Sequence, residues 1–267
     1  MSMKKVGDIR IIYPKKEAKT AELAAEACEE AFRLTRDIWG LKPPKDCRIY
    51  VMTSWLGFII NSAPPKWKLS LLPTFPLWMP RIRRTWPYSA AWTQRYGPRI
   101  AIGIKPPRLI ERSQRKIGSI MLVEEPDPDL NIRNVTCHEL IHACSARLIL
   151  PMWLNEGIAL YGTERFSGKP SIRTETLRLI REHSPKEGPP SYSRLSRMRV
   201  EQIAYHDSRG YWLVKYLEET SPGFLKSLFD LHRYESELEE KIAEKLGIGK
   251  EDLWLKIDDI ITGRYLT

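Results

Sequence analysis

Residues 137–161 read CHELIHACSARLILPMWLNEGIALY. Apolar residues recur at helical spacing on both sides of Pro151, so the stretch parses as two helices. The first finishes at Leu148–Leu150, and Pro151 suits the start of the second, because the fixed φ of proline fits a first helical turn. A short link makes the two antiparallel neighbours. On the first helix His138 and His142 are one turn apart and project from one face, so two imidazole nitrogens can meet one metal ion. Glu139 is the next residue round, close enough to touch a water at such an ion without ligating it. Glu156 lies in the second turn of the returning helix, where its carboxylate can come back towards the two histidines. Gly157, without a side chain, is expected to let that helix approach the first closely.

Upstream, IRIIYP (9–14) reads as a strand ended by proline, and residues 17–39 carry apolar residues at spacings of three and four, an amphipathic helix stopped by Gly40. CRIYVM (47–52) and RIAIGI (99–104) are two further strands, the latter closed by a Pro106-Pro107 break. Between them runs WLGFIINSAPPKWKLSLLPTFPLWMPRIRRTWPYSAAW (55–92), whose prolines at 64, 65, 73, 76, 80 and 87 argue against a long helix or a central strand. Downstream, the period is helical near 131–149, 151–165, 172–183, 208–220, 222–232, 235–246 and 250–262, with punctuation at Pro151, Pro185, Pro189-Pro190, Pro222 and Gly247. These elements predict an α+β fold: a small N-terminal α/β layer with a mixed sheet (1–125, with the Trp- and Pro-rich stretch inserted at 55–98), then a helical part (126–267) carrying both motifs. The two parts are expected to act as one unit, with the site between them.

The 267 residues, 42% apolar and 28% charged, suit a globular chain with a substantial core. No apolar run of the length a secretory signal or a membrane-spanning helix needs is present, which sets the expected address as cytoplasmic. Cys28, Cys47, Cys137 and Cys144 form no CxxC pair and read as buried thiols, in keeping with a reducing compartment. The net charge of +10 admits an acidic partner such as nucleic acid or an anionic membrane, and Arg81, Arg83 and Arg84 form the densest basic cluster, among aromatics.

HELIH followed by LPMWLNEGIALY resembles the gluzincin-type zinc metallopeptidases of the MA clan, in particular the small peptidase-MA-like branch with its HExxH and "LPxWLxEGxA" blocks. The resemblance implies a zincin-like fold and one zinc ion per chain, held by His138, His142 and, as third ligand, Glu156. It further implies hydrolysis of peptide bonds in a peptide or protein substrate by a metal-activated water, with Glu139 as general base. AYHDSRGYWLVKYLEE (204–219) is similar to the helix that follows in this branch, where a tyrosine precedes a "LVxYL" run. Tyr211 matches that position and is the implied catalytic donor to the oxyanion, with Tyr205, His206 and Arg209 as neighbours of suitable chemistry. In the wider gluzincin group an acidic residue four positions after the ligand glutamate orients a zinc histidine. Here that position is Leu160, so the supporting group is expected from Glu164, Asp207 or a backbone carbonyl. An extended substrate would add beside RIAIGI as the edge strand. Two other readings compete: a non-catalytic zinc-binding pseudo-peptidase that meets a partner through the Trp- and Pro-rich stretch, and a peptidase for nucleic-acid-associated proteins.

Overall fold

The computed structural model describes residues 1–182, 194, 197–231 and 235–266. Five strands form within the first 104 residues: β1 (Ser2–Val6), β2 (Ile9–Tyr13), β3 (Asp46–Val51), β4 (Ala91–Tyr96) and β5 (Arg99–Ile104). Their spatial order is β1-β2-β3-β5-β4. The central β2, β3 and β5 run parallel, and the outer β1 and β4 are antiparallel to their neighbours, so the sheet is mixed, as expected.

The edge strand on this side of the sheet is β4, not β5. All residues of β5 from Ile100 to Ile104 are buried, as in a strand covered on both faces and both sides. Strand β4 carries Thr93, Gln94 and Arg95 and lies within the proline-rich stretch at 55–98, where no strand is expected.

Helices cover both sheet faces. On one, Ile11, Ile49, Ile100, Ile102 and Ile104 join a core that continues to Ile261 and is built with α1 (Ala18–Trp39). That helix turns a face of small residues, including Ala24, Ala27, Cys28 and Ala31, to its neighbours. On the other face Tyr50, Tyr96 and Ala101 pack against Phe58 and Ile59 of α2 (Trp55–Ser62) and Ile82 of α3 (Pro65–Thr85).

Helix α3 overturns the expectation that the prolines forbid a long helix, for it contains Pro73, Pro76 and Pro80. Their spacing of three and four puts all three on one face, and that face is exposed. On an exposed face, a carbonyl that loses its helical donor can turn to water, so proline there costs less than it does in a buried helix. Helix α4 (Pro107–Met121) likewise departs from expectation, because the proline expected to break the chain occupies the first helical position.

The remaining helices are α5 (Pro128–Ser145), α6 (Met152–Ser167), α7 (Thr176–Glu182), α8 (Val200–Thr220), α9 (Phe224–Leu231), α10 (Glu235–Leu246) and α11 (Leu253–Tyr265). Helix α5 starts earlier than its apolar period indicated, because Asp127 caps it, accepting from the Asp129 and Leu130 amides ahead of Pro128. It is buried on nearly every side, Leu140, Ile141 and Cys144 included, as a helix packed between α1, α6 and the sheet must be. The punctuation at Pro185 and Pro189-Pro190, and the side chains of Arg81 and Arg84, lie outside the described residues.

Gly157 serves a different contact from the one expected. A Cβ there would lie 2.5 Å from the Gly210 carbonyl oxygen, so it marks where α6 crosses α8, and a Cβ on Gly210 would lie 2.1 Å from the Trp153 oxygen. Consecutive residues on a helix point about 100° apart, so once Glu156 faces α5 its neighbour must face elsewhere. The close approach of α6 to Ile141 of α5 falls instead at Gly162.

Candidate metal centre

Helix α5 ends at Ser145, short of the expected Leu148–Leu150, and the chain reverses through Ala146–Pro151 into α6, bringing His138, His142 and Glu156 together. The two Nε2 atoms are 3.1 Å apart. Glu156 Oε2 lies 3.5 Å from Nε2 of His138 and 3.4 Å from Nε2 of His142. Ligands at ~2.0–2.1 Å in tetrahedral array around one ion stand about 3.3–3.4 Å from one another. The three observed separations match the edges of such a tetrahedron, so this cluster can hold a metal ion. Two imidazoles and a carboxylate also form a donor set that first-row divalent metals accept.

Electrostatics within the cluster follow from the packing. Burial acts to lower the His142 pKa, but the Glu156 carboxylate beside it, with help from Glu139 and Asn155, raises it to about 9. Burial likewise acts to raise Glu156, and the two histidines pull it far below the usual carboxylate range. In the metal-free chain His142 is thus a buried imidazolium paired with Glu156. Its pKa is raised above the ordinary 6.5, so the stability it contributes is complete below about pH 6.5 and is lost as pH rises through about 9, on the order of 3 kcal/mol in all. Chemical denaturation of the metal-free chain near pH 6 and near pH 10 should show that loss. With a divalent ion present the alkaline loss should shrink, because metal replaces the proton on Nε2.

Glu139 is buried and accepts a 2.5 Å hydrogen bond at Oε2 from the Thr93 hydroxyl of edge strand β4. The sheet edge therefore fixes the orientation of this carboxylate. Thr93 is a site residue that the sequence reading missed. On the opposite side, Ser145 donates to Asn155 Oδ1 at 2.8 Å, joining the last turn of α5 to the residue before Glu156.

Helix α8 contributes Asp207. Its Oδ1 is buried with no hydrogen-bond partner among the described residues, and the carboxyl is pushed well above its usual range by burial and by Glu156, against the pull of His142. Asp207 reaches the site because α8 begins at Val200, two turns earlier than its period indicated. Leu160 lines the same cleft as an apolar wall.

The structure does not bring Tyr211 to the cluster. Its side chain is 1% exposed and its hydroxyl donates to Glu164, which also pairs with Lys215. Glu164 is two turns, about 12 Å, along α6 from Glu156. This removes Glu164 as well from the candidates for supporting a histidine. Position 211 lies one turn beyond 207, far enough along α8 to leave the cleft. Tyr205 and Arg209 are also engaged elsewhere, both bonded to Asp258 of α11. None of Tyr205, His206, Arg209 and Tyr211 is among the residues lining the cleft.

The cluster opens into a cleft of about 1410 Å³ between β4, α5, α6 and the start of α8. That exceeds the range of ~300–1,000 Å³ common for small-molecule pockets and leaves room for an extended chain.

No family model, curated protein or solved structure matches the chain. The site therefore stands on its own geometry.

Proposed function

We propose that this chain is a zinc-dependent metallopeptidase of gluzincin type with a zincin-like arrangement of sheet and helices. The observation that carries the proposal is the near-tetrahedral spacing of the His138, His142 and Glu156 ligand atoms at the floor of a peptide-sized cleft. A zinc ion bound there supplies a Lewis acid that acidifies water and polarises a carbonyl group.

Each neighbouring residue has a part. Glu139 takes the proton of the attacking water and delivers a proton to the leaving amine, and the Thr93 hydroxyl keeps its carboxylate turned to the cleft. The free side of β4 offers backbone groups to an extended substrate, which adds as a further strand and passes the cluster at Thr93. Asp207 supplies from α8 the acidic neighbour that position 160 lacks. No serine or cysteine nucleophile enters. Burial pushes the Cys28 and Cys144 thiols up to about 12, and all four cysteines are free and buried, which fits the proposed address in a reducing compartment such as the cytoplasm.

The direct test is digestion of an unfolded protein pool by the zinc-loaded chain. New amino termini should appear, vanish with a chelator and return with added zinc. A zinc-loaded chain that leaves the whole pool intact would refute the reading.

A further inference from the structure

Residues 47–110 contain ten lysines and arginines and no aspartate or glutamate. That stretch carries the whole net charge of +10, and the rest of the chain has 33 charges of each sign. Five of the nine tryptophans lie in it too. Its centre is the pair α2 and α3, which turns apolar residues to solvent: Leu56 and Ile60 on α2, Leu69 and Leu77 on α3, the last two 77% and 81% exposed.

On α3 these residues are ordered. Leu69, Pro73, Pro76, Leu77 and Pro80 follow helical spacing along one exposed face. Exposed Lys66 and Arg83 stand about one turn beyond the two ends of that stripe. The face opposite the stripe carries Ile82, which is buried against the sheet layer. An amphipathic element of a globular chain ordinarily turns its apolar side inward, so an apolar stripe on the outward side, with a cation near each end, calls for an apolar and anionic surface.

We infer that the exposed face of α2 and α3 docks onto the surface of a bilayer containing anionic phospholipid, lying in the interface without crossing it. The 21 residues of α3 make it about 32 Å long, and no helix among the described residues is long and apolar enough to span a membrane. Leucine and proline side chains offer nothing to a phosphate or a base edge, whereas they leave water on entering the headgroup–acyl boundary, which favours lipid over nucleic acid. Arg48 and Arg99 pair with Asp46, and Arg108 with Glu17, so the exposed Lys66 and Arg83 beside the stripe supply the attraction to anionic headgroups. This surface is independent of the metal ligands. It adjoins the cleft, whose lining includes Trp67, Ile82 and Arg83, so docking sets the cleft mouth beside the bilayer.

The test is flotation of the full chain with vesicles of phosphatidylcholine alone and of phosphatidylcholine mixed with phosphatidylglycerol. Binding is expected with the mixed vesicles, to weaken as salt rises, and to be unchanged by a chelator. Leu69→Asp and Leu77→Asp should each weaken it at least about tenfold. Lys66→Gln and Arg83→Gln should each weaken it about fivefold. Because these side chains point to solvent, thermal unfolding should stay at the wild-type value. Failure to bind mixed vesicles at low salt overturns the inference, as does binding that the two leucine variants leave intact. It is overturned equally if the chain retains duplex DNA or RNA in place of vesicles, or if the stripe instead joins two copies of the chain, seen as a dimer that Leu77→Asp dissociates.

Discussion

Glu139→Gln should leave the zinc content unchanged and lower the rate of peptide cleavage by about 10²–10⁴-fold, the usual contribution of a positioned general base. The substitution is close to isosteric, and the amide oxygen can still accept from Thr93, so fold and local geometry are retained while the proton acceptor is lost. His138, His142 and Glu156 are untouched. Cleavage of the same unfolded protein pool, measured beside metal analysis of the same preparation, checks both halves of the expectation. Thr93→Val should fall between the variant and wild type, since it frees the carboxylate to turn without removing it. A Glu139→Gln chain that cleaves at the wild-type rate would exclude this residue as the base.

The largest stability effect is expected at Asp258, remote from the motif. Arg209 Nε donates to Asp258 Oδ1 at 2.6 Å with both side chains 1% exposed, Tyr205 donates to Oδ2 at 2.8 Å, and Arg209 Nη2 donates to the Trp254 carbonyl at 2.9 Å. Burial raises the Asp258 pKa despite the opposing pull of Arg209 and Tyr205, the mark of a pair whose desolvation cost is incompletely offset. Asp258→Ala strands a guanidinium in the interior. It should cost about 3–5 kcal/mol, read as a fall of roughly 10 °C in Tm. Replacing both partners, Arg209→Met with Asp258→Leu, should cost far less, because no charge is left buried. Since Asp207 sits two residues from Arg209, the single variant should also weaken metal binding. A single variant within about 1 kcal/mol of wild type would show the pair to be dispensable.

These expectations separate what the sequence carries plainly from what it hides. The ligand set is legible because i,i+4 spacing and one helical reversal fix where His138, His142 and Glu156 can go. Three of the five strands are legible for a similar reason: IRIIYP, CRIYVM and RIAIGI are short apolar runs with clear ends. Strand β4 was not, since AWTQRY at a sheet edge is only half-buried and lies between prolines, and with it went Thr93. Helix α3 was hidden by a rule that holds for buried interiors but not for three prolines aligned on a solvent face. The contact made by Gly157, the place of Tyr211 and the choice of Asp207 over Glu164 share another cause. Each depends on how α6 and α8 are rotated about their axes, and that rotation is set by the Gly157–Gly210 contact between residues more than fifty positions apart. No local pattern encodes it.

The proposed function requires one divalent ion among His138, His142 and Glu156. It is tested most directly by metal analysis of the purified chain after equilibration with zinc and exhaustive dialysis, with Glu156→Ala treated alongside. About one zinc per wild-type chain is expected, with affinity lowered by more than about 100-fold in the variant, beyond the loss typical for an outer group. Wild-type chain that retains no metal, or Glu156→Ala that retains it with unchanged affinity, would contradict it.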